Sequence, residues 1–281
     1  MLGHKLYQVL AHTFDTYGTI RGSHQDIRKY DFFETPRILP GVNAREFSSV
    51  EKAIDETSPE VVINCIGVVK SLVEQEGMAS TICLNSLLPH QLYQICRPRG
   101  IRLIHISTDC VFSGKTGLYR EDDPSDAEDV YGKSKYLGEV NGPGALTIRT
   151  SIIGRELTNT NGLVEWFLSN RGGKVQGYTK AIFSGFTTLH LSRIITDIIL
   201  KYQRLQGIYH IASEPIDKFK LLTLINKAMG LNTAIEEYAG YHIDRSLDAT
   251  KYRQDTGFSP PSWQKMIEEL AIDTKIYSNW R

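Results

Sequence analysis

The sequence predicts an α/β protein: a doubly wound parallel sheet followed by a smaller C-terminal lobe. Three observations carry that expectation. The first half alternates short apolar runs with amphipathic stretches, the pattern of strands and helices in a parallel sheet. Pro59 and Gly100 sit just ahead of two of those runs, where helix-to-strand turns belong. Beyond Gly154 the texture changes, with Asn159, Asn161, Gly162, Gly172 and Gly173 interrupting any long element.

Taken in order, residues 6–11 read as a helix and 16–20 as a strand. A helix over 49–56, a strand over 61–68, a helix over 79–96 and a strand over 102–107 repeat the unit, and a helix over 130–140 with a strand over 145–152 closes it. Further on, 188–202 reads as a helix and 207–212 as a short strand. Amphipathic helices over 218–230 and 262–271 flank a loop carrying D-R-S-L-D. Residues 1–155 with 184–215 are therefore assigned to the sheet domain, and 156–183 with 216–281 to the smaller lobe. There is no internal repeat and no low-complexity tract.

A chain of 281 residues, 41% hydrophobic and 23% charged, can bury a sizeable core. Its 32 basic and 32 acidic residues cancel without long runs of either sign, which removes the electrostatic case for nucleic acid or an anionic membrane. The expected partner is a small molecule, and a homodimer is compatible with the sequence. No apolar run approaches the roughly 18 residues of a membrane span, since the best, 61–69, is interrupted by Asn64. The start, Met1-Leu2-Gly3-His4-Lys5, does not resemble a secretory signal, so a cytoplasmic location is expected. The four cysteines, Cys65, Cys83, Cys96 and Cys110, lack metal-ligand spacing and read as reduced thiols, so no metal is expected.

One constellation carries chemistry. Tyr131 and Lys135 lie in Y-G-K-S-K, downstream of a strand end, S-T-D-C-V-F, that holds Thr108. A phenol is a poor acid at neutral pH, with an unperturbed pKa of about 10. A lysine one helical turn later, on the same face, would favour the phenolate and make the tyrosine a usable proton donor and acceptor. The Thr108 hydroxyl could then hold a carbonyl oxygen against the phenol. The pair alone is weak: among 14 tyrosines, about one Tyr-x3-Lys arises by chance, and Tyr131 is the only tyrosine that has one.

The wider context is stronger. S-T-D-C-V-F-S-G, then Y-x-E-D-D-P across 119–124, then Y-G-K-S-K-Y-L-G-E, resemble the extended short-chain dehydrogenase/reductase family, and within it the dTDP-4-dehydrorhamnose reductases and related nucleotide-sugar 4-ketoreductases. V-V-I-N-C-I-G from Val61, L-N-S-L-L-P-H from Leu84, I-R-T-S-I-I-G from Ile148, S-G-F-T-T from Ser184 and R-S-L-D from Arg245 follow in compatible order, so the resemblance spans nearly the whole chain. It implies a Rossmann-like fold and catalytic roles for Thr108, Tyr131 and Lys135, with Lys135 also holding the nicotinamide ribose. Asn85 matches the asparagine that supports the lysine through water in relatives. Asn64, Cys65 and Gly67 match the strand end beside the cofactor, where Gly67 permits close approach. Glu46 and Phe47 resemble the acidic-aromatic pair that contacts adenine.

Arg21 closes the predicted strand over 16–20. With no acid at that position, NADPH is favoured and NADH is allowed as the alternative. Cys110 stands where sugar-nucleotide dehydratases of the family carry an acid, which disfavours dehydration. Arg149, Thr187, Thr188, Arg245 and Ser246 are candidates to grip a nucleotide-sugar diphosphate. The implied activity is NADPH-dependent reduction of a nucleotide-activated 4-keto-6-deoxy sugar for cell-surface polysaccharide precursors. The alternatives are an epimerase, or a non-catalytic binding subunit like the regulatory subunit of methionine adenosyltransferase.

The largest departure is at the front. Relatives open with a strand and a turn of the form G-x-x-G-M-L-G, whereas this sequence opens inside that turn, with Gly3 alone of the three glycines. By that comparison roughly ten residues are absent, and strands on either side of the sheet centre should lose a shared partner. Met1 is read as an internal methionine in preference to a true truncation, because everything downstream is intact.

Overall fold

The computed structural model of the chain describes residues 1–158 and 160–279; Asn159, one of the breaks noted beyond Gly154, lies outside them. Helix α1 (Leu2–Leu10) buries Leu2, Leu6 and Leu10, one apolar stripe at four-residue spacing. Strand β1 (Gly18–Thr19) follows, then the short α2 (His24–Ile27) and β2 (Ile38–Leu39), which pairs parallel with β1. Helix α3 (Phe47–Thr57) buries Val50, Ala53 and Ile54 and ends where Ser58 turns left-handed ahead of Pro59. It delivers the chain to β3 (Val61–Asn64).

The helix expected over 79–96 is interrupted. It follows the single turn α4 (Val73–Glu76) and consists of α5 (Met78–Ile82), a π turn (Cys83–Leu87) and α6 (Leu88–Cys96). Pro89 has no N–H to give the carbonyl of Asn85 four residues back, and the helix widens there. Strand β4 (Arg102–Ile106), helix α7 (Val130–Leu137) and strand β5 (Ala145–Arg149) complete the expected repeats.

The remainder holds more strand than its sequence suggests. After β6 (Ile152–Ile153) and α8 (Leu163–Ser169) comes the ten-residue β7 (Lys174–Phe183), then β8 (Phe186–Thr187), α9 (Thr188–Lys201), β9 (Gly207–His210), β10 (Ile216–Asp217) and α10 (Lys218–Met229). The eleven-residue β11 (Ala234–Asp244) runs parallel to β7 and is followed by α11 (Thr250–Thr256) and α12 (Trp263–Thr274). The segments read as interrupted after Gly172 and as loop before D-R-S-L-D are thus a sheet of order β10-β7-β11, with α10 packed on β7.

The main sheet has the parallel order β3-β4-β5-β9. None of its strand residues is exposed, and β5 is buried along its whole length, as expected of a sheet covered on both faces. Val50, Ile54, Leu88, Leu92 and Leu103 form the core on one face. On the other face a larger cluster joins Leu6, Ile104 and Ile195 to Val175, Leu221 and Met266, so one continuous apolar core runs from the sheet into the C-terminal lobe.

β1 and β2 form a separate two-stranded sheet, and β3 has β4 as its only strand neighbour among the described residues. Between β1 and β3 lies a cleft of about 1430 Å³, lined by Leu2, Leu6, Gly18, Ile20, Val61 and Ile63 among others.

Behind the sheet's carboxyl edge sits a buried polar knot. Arg149, at the end of β5, makes a two-pronged contact with Glu139, just past α7 (2.8 and 2.7 Å). It also donates to the carbonyl of Glu121 and to His210, and lies over the ring of Phe112. Both side chains of the ion pair are 3% exposed. We predict that Arg149→Met, which strands the Glu139 charge, lowers unfolding stability by about 3–5 kcal/mol. Urea denaturation followed by circular dichroism measures this.

Candidate active site

Beyond β4 the chain passes through Ser107 to Thr108, whose hydroxyl accepts from the backbone N–H of Cys110 at 3.1 Å and caps a short 3-10 turn. The same hydroxyl donates to a carboxylate oxygen of Asp109 at 3.1 Å and stands near enough to the phenol of Tyr131 to act on its ionisation. Tyr131 is in the first turn of α7, which Asp129 caps by accepting from Gly132 N–H at 2.8 Å. The helix comes close to its surroundings at two glycines. A Cβ on Gly132 would stand 2.2 Å from the carbonyl oxygen of Cys110, and one on Gly138 1.9 Å from that of Asn85. Neither position tolerates a side chain, and the two contacts fix both ends of the helix that carries Tyr131 and Lys135.

The electrostatics differ from the sequence expectation. Burial pushes the Tyr131 phenol above its ordinary range, and the neighbouring Cys110, Asp109 and Asp129 push the same way, with Thr108 opposing. Lys135 is lowered to about 8, mainly by burial, with Glu139 and Cys65 opposing. Its ammonium nitrogen donates to the carbonyl of Ile106 at 2.7 Å and lies 3.5 Å from Nε2 of His105. The lysine is thus held by β4, and desolvation outweighs whatever its charge does for the phenol.

Asn85, from the π turn, is fully buried and contacts no lysine atom directly. Its Oδ1 accepts from Val68 N–H at 2.8 Å, while its Nδ2 donates to the Val68 carbonyl and to the Ser134 hydroxyl at 3.0 and 3.1 Å. It ties the segment after β3 to α7. Gly67 accommodates this tie, because a Cβ there would meet Asn85 Oδ1 at 2.9 Å and sit 3.9 Å from the Lys135 nitrogen.

Four of the cofactor candidates, Gly3, Arg21, Asn64 and Cys65, line the cleft between β1 and β3. Gly3, in the first turn of α1, stands against Cys65 at the carboxyl end of β3, and a helix N-terminus so placed suits an anionic phosphate. Arg21 is exposed just past β1. The donor set and the position at the strand ends fit a dinucleotide. Glu46 is an exposed residue at the start of α3 that accepts from Asn43, and Phe47 packs into the core beneath α3 and α6. The Cys65 thiol is raised to about 12 by burial, as suits an inert thiol.

The substrate candidates divide. Arg149 has its guanidinium engaged by the buried knot and offers no free face. Thr187 caps α9 by accepting from His190 N–H, and the Thr188 hydroxyl is packed beneath Gly154. Ser246 donates to Asp244 and accepts from Leu118 N–H. Arg149, Thr187 and Ser246 have their hydrogen-bonding groups engaged inside the protein, and Thr188 is buried. Arg245 alone faces the site: it donates to the carbonyl of Phe112 and acts electrostatically on Asp109, Cys110 and Asp129. Lys70, in the segment after β3, pairs with Asp129 at 2.7 Å.

Two residues escaped the sequence reading. Lys218 is lowered by burial and acts electrostatically on Asp109 and Cys110, which makes it a second cation beside Arg245. Its signal is a lysine in the first turn of a helix, where the dipole disfavours a cation. Asp109, raised by burial and bonded to Ser151 and Thr108, is the acid between them.

The comparisons with known proteins agree with this arrangement. Residues 2–275 match the family described as RmlD substrate binding domain. A probable low-salt glycan biosynthesis reductase of Haloferax volcanii is 31% identical over 277 residues, covering 88% of each chain. The spore coat polysaccharide biosynthesis protein SpsK of Bacillus subtilis is 28% identical over 243 residues, covering 81% of this chain and 77% of the relative. Among solved structures, dTDP-4-dehydrorhamnose reductase from Bacillus anthracis in complex with NADP superposes with a TM-score of 0.74 at 20% identity, covering 92% of this chain and 98% of that one. The chain therefore belongs to the RmlD substrate binding domain family, NAD(P)-dependent oxidoreductases of the extended short-chain dehydrogenase/reductase type.

Proposed function

We propose that this chain is an NADPH-dependent reductase of a nucleotide-activated 4-keto-6-deoxy sugar, serving polysaccharide precursor synthesis. The observation that carries the reading is the placing of Thr108, Tyr131 and Lys135 together at the carboxyl edge of a parallel sheet, with Thr108 capping the turn after β4 and the other two one helical turn apart on α7. The reductases and polysaccharide proteins among the relatives support it, as does Cys110, a thiol raised to about 12, where dehydration would need a carboxylate.

Thr108 orients the substrate carbonyl oxygen against the phenol. Tyr131 delivers the proton to that oxygen, and its upward shift suits the reductive direction, because the phenol stays protonated until negative charge develops beside it. When bound, the reduced nicotinamide supplies hydride to the carbonyl carbon. Arg245 and Lys218, facing the site from the C-terminal lobe, form a bipartite cation for the diphosphate, with Asp109 moderating their repulsion. Arg21 serves the 2′-phosphate, and Gly3, Asn64, Cys65, Gly67 and Lys135 the rest of the dinucleotide. In this reading residues 1–155 and 184–215 hold the cofactor, and 156–183 and 216–281 close on the sugar nucleotide.

Tyr131→Phe should lower kcat by about 10²–10⁴-fold while leaving the NADPH dissociation constant unchanged, as read by steady-state kinetics and calorimetry. Retained turnover would remove the assignment. Arg21→Ala should weaken NADPH by about 10- to 100-fold with little effect on NADH; equal losses for both cofactors would count against its role. Because burial lowers Lys135 to about 8, its ammonium is present below that value and lost above it. Activity that uses the charge should fall as pH rises through about 8, and a kcat/KM profile checks this.

A further inference from the structure

His105, in the middle of the buried polar layer, has no part in the function proposed above, yet its surroundings determine where its proton sits. The ring is fully buried on β4. Nδ1 lies 3.1 Å from Nδ2 of Asn64, and Nε2 lies 3.5 Å from the Lys135 nitrogen. The Asn64 amide has one sensible orientation, because its Oδ1 accepts from the backbone N–H of Ile66 at 3.0 Å. Turning it over would set an NH2 group against that N–H. With the amide so fixed, Nδ2 donates and Nδ1 must accept. A neutral imidazole that accepts at Nδ1 carries its hydrogen on Nε2, and that hydrogen points at Lys135. An ammonium has only donors to offer in return, whereas an uncharged amine has a lone pair to receive it.

We propose that His105, fixed by Asn64 as its Nε2–H tautomer, is a positioning residue that presents a donor to Lys135 and so favours the lysine's uncharged amine. The ring itself stays neutral: burial drives it well below its ordinary range, and any charge on Lys135, or on His90 of α6, acts in the same direction. Against Lys135 the other facing groups are Glu139, past the end of α7, and Cys65, past β3. Both favour the ammonium, and burial opposes them. His105 therefore adds to desolvation on one side of a balance whose other side is Glu139. Asn85, the residue expected to serve the lysine, is engaged by Val68 and Ser134, so the direct polar contacts of Lys135 are made on the β4 side. For the reductase reading, on which the consequence for activity rests, His105 sets the pH at which Lys135 exchanges its ammonium for an amine, and with it the alkaline limit of any activity that uses the charge.

The test has two arms that do not share a point of failure. In uniformly 15N-labelled protein the Nδ1 of His105 should give the resonance of an unprotonated nitrogen and Nε2 that of a protonated one; the reverse pattern overturns the proposal. In His105→Gln the side-chain amide reaches the Nε2 position and can turn its oxygen to the ammonium. The titration of the Lys135 ε-methylene, followed by carbon NMR, should then move up by about one pH unit, with the alkaline limb of kcat/KM moving with it. An unmoved lysine titration overturns the proposal even if activity changes. A moved titration without any turnover in the parent protein would leave His105 its role and reject the reductase reading instead.

Discussion

The structure depends on how closely α7 approaches its neighbours. Two glycines on one short helix let its backbone come within contact distance of two carbonyls, one after β4 and one in the π turn, and no side chain fits at either place. Because both contacts are to backbone, neither can be relaxed by a rotamer change. Tyr131 and Lys135 are thereby held on a rigid rod between two fixed points. The geometry needed for proton transfer is built by sterics before any hydrogen bond is counted.

The polar layer behind that helix continues the constraint. Glu139, one turn beyond Lys135, is clamped by Arg149 and also accepts from Ser107 at 2.7 Å, while Asn85 joins Val68 to Ser134. Such a layer is costly to bury and favourable only when complete. Here it is filled from five separate segments, which makes the end of α7 the place where the sheet, the π turn and the loop after β3 are put into register with one another. The price in desolvation appears in the site itself, as a phenol raised and a lysine lowered by the same dry surroundings.

How much was legible follows from range. β4 and β5 were readable because each is a short apolar run behind a glycine or a turn, and α3 because Val50, Ala53 and Ile54 repeat at helical spacing. Thr108, Tyr131 and Lys135 were readable because their order along the chain mirrors a strand end followed by a helix. β7 was hidden by Gly172 and Gly173 ahead of it and Gly177 within it, and β11 by its exposure, which leaves no alternation to detect. The internal engagement of Arg149, Thr187 and Ser246 was not legible, because a residue type announces what it can donate or accept but not whether a partner already has it. His105 was invisible for the converse reason: its meaning lies in Asn64, 41 residues earlier, and Lys135, 30 residues later.

The division of the sheet into β1–β2 and β3-β4-β5-β9 also separates two scales of cohesion. Two residues of each strand bind β1 to β2, and among the described residues no ladder hydrogen bond joins that ribbon to the larger sheet. What attaches it is a small aromatic cluster in which Tyr7 of α1 meets Ile27, Tyr30 and Ile38, with Phe32 and Phe33 at its edge. Apolar contact of that kind is not directional, whereas a sheet ladder is. The ribbon's place against the rest of the chain is therefore set by side-chain shape, which keeps no register, whereas within each sheet the ladder keeps one.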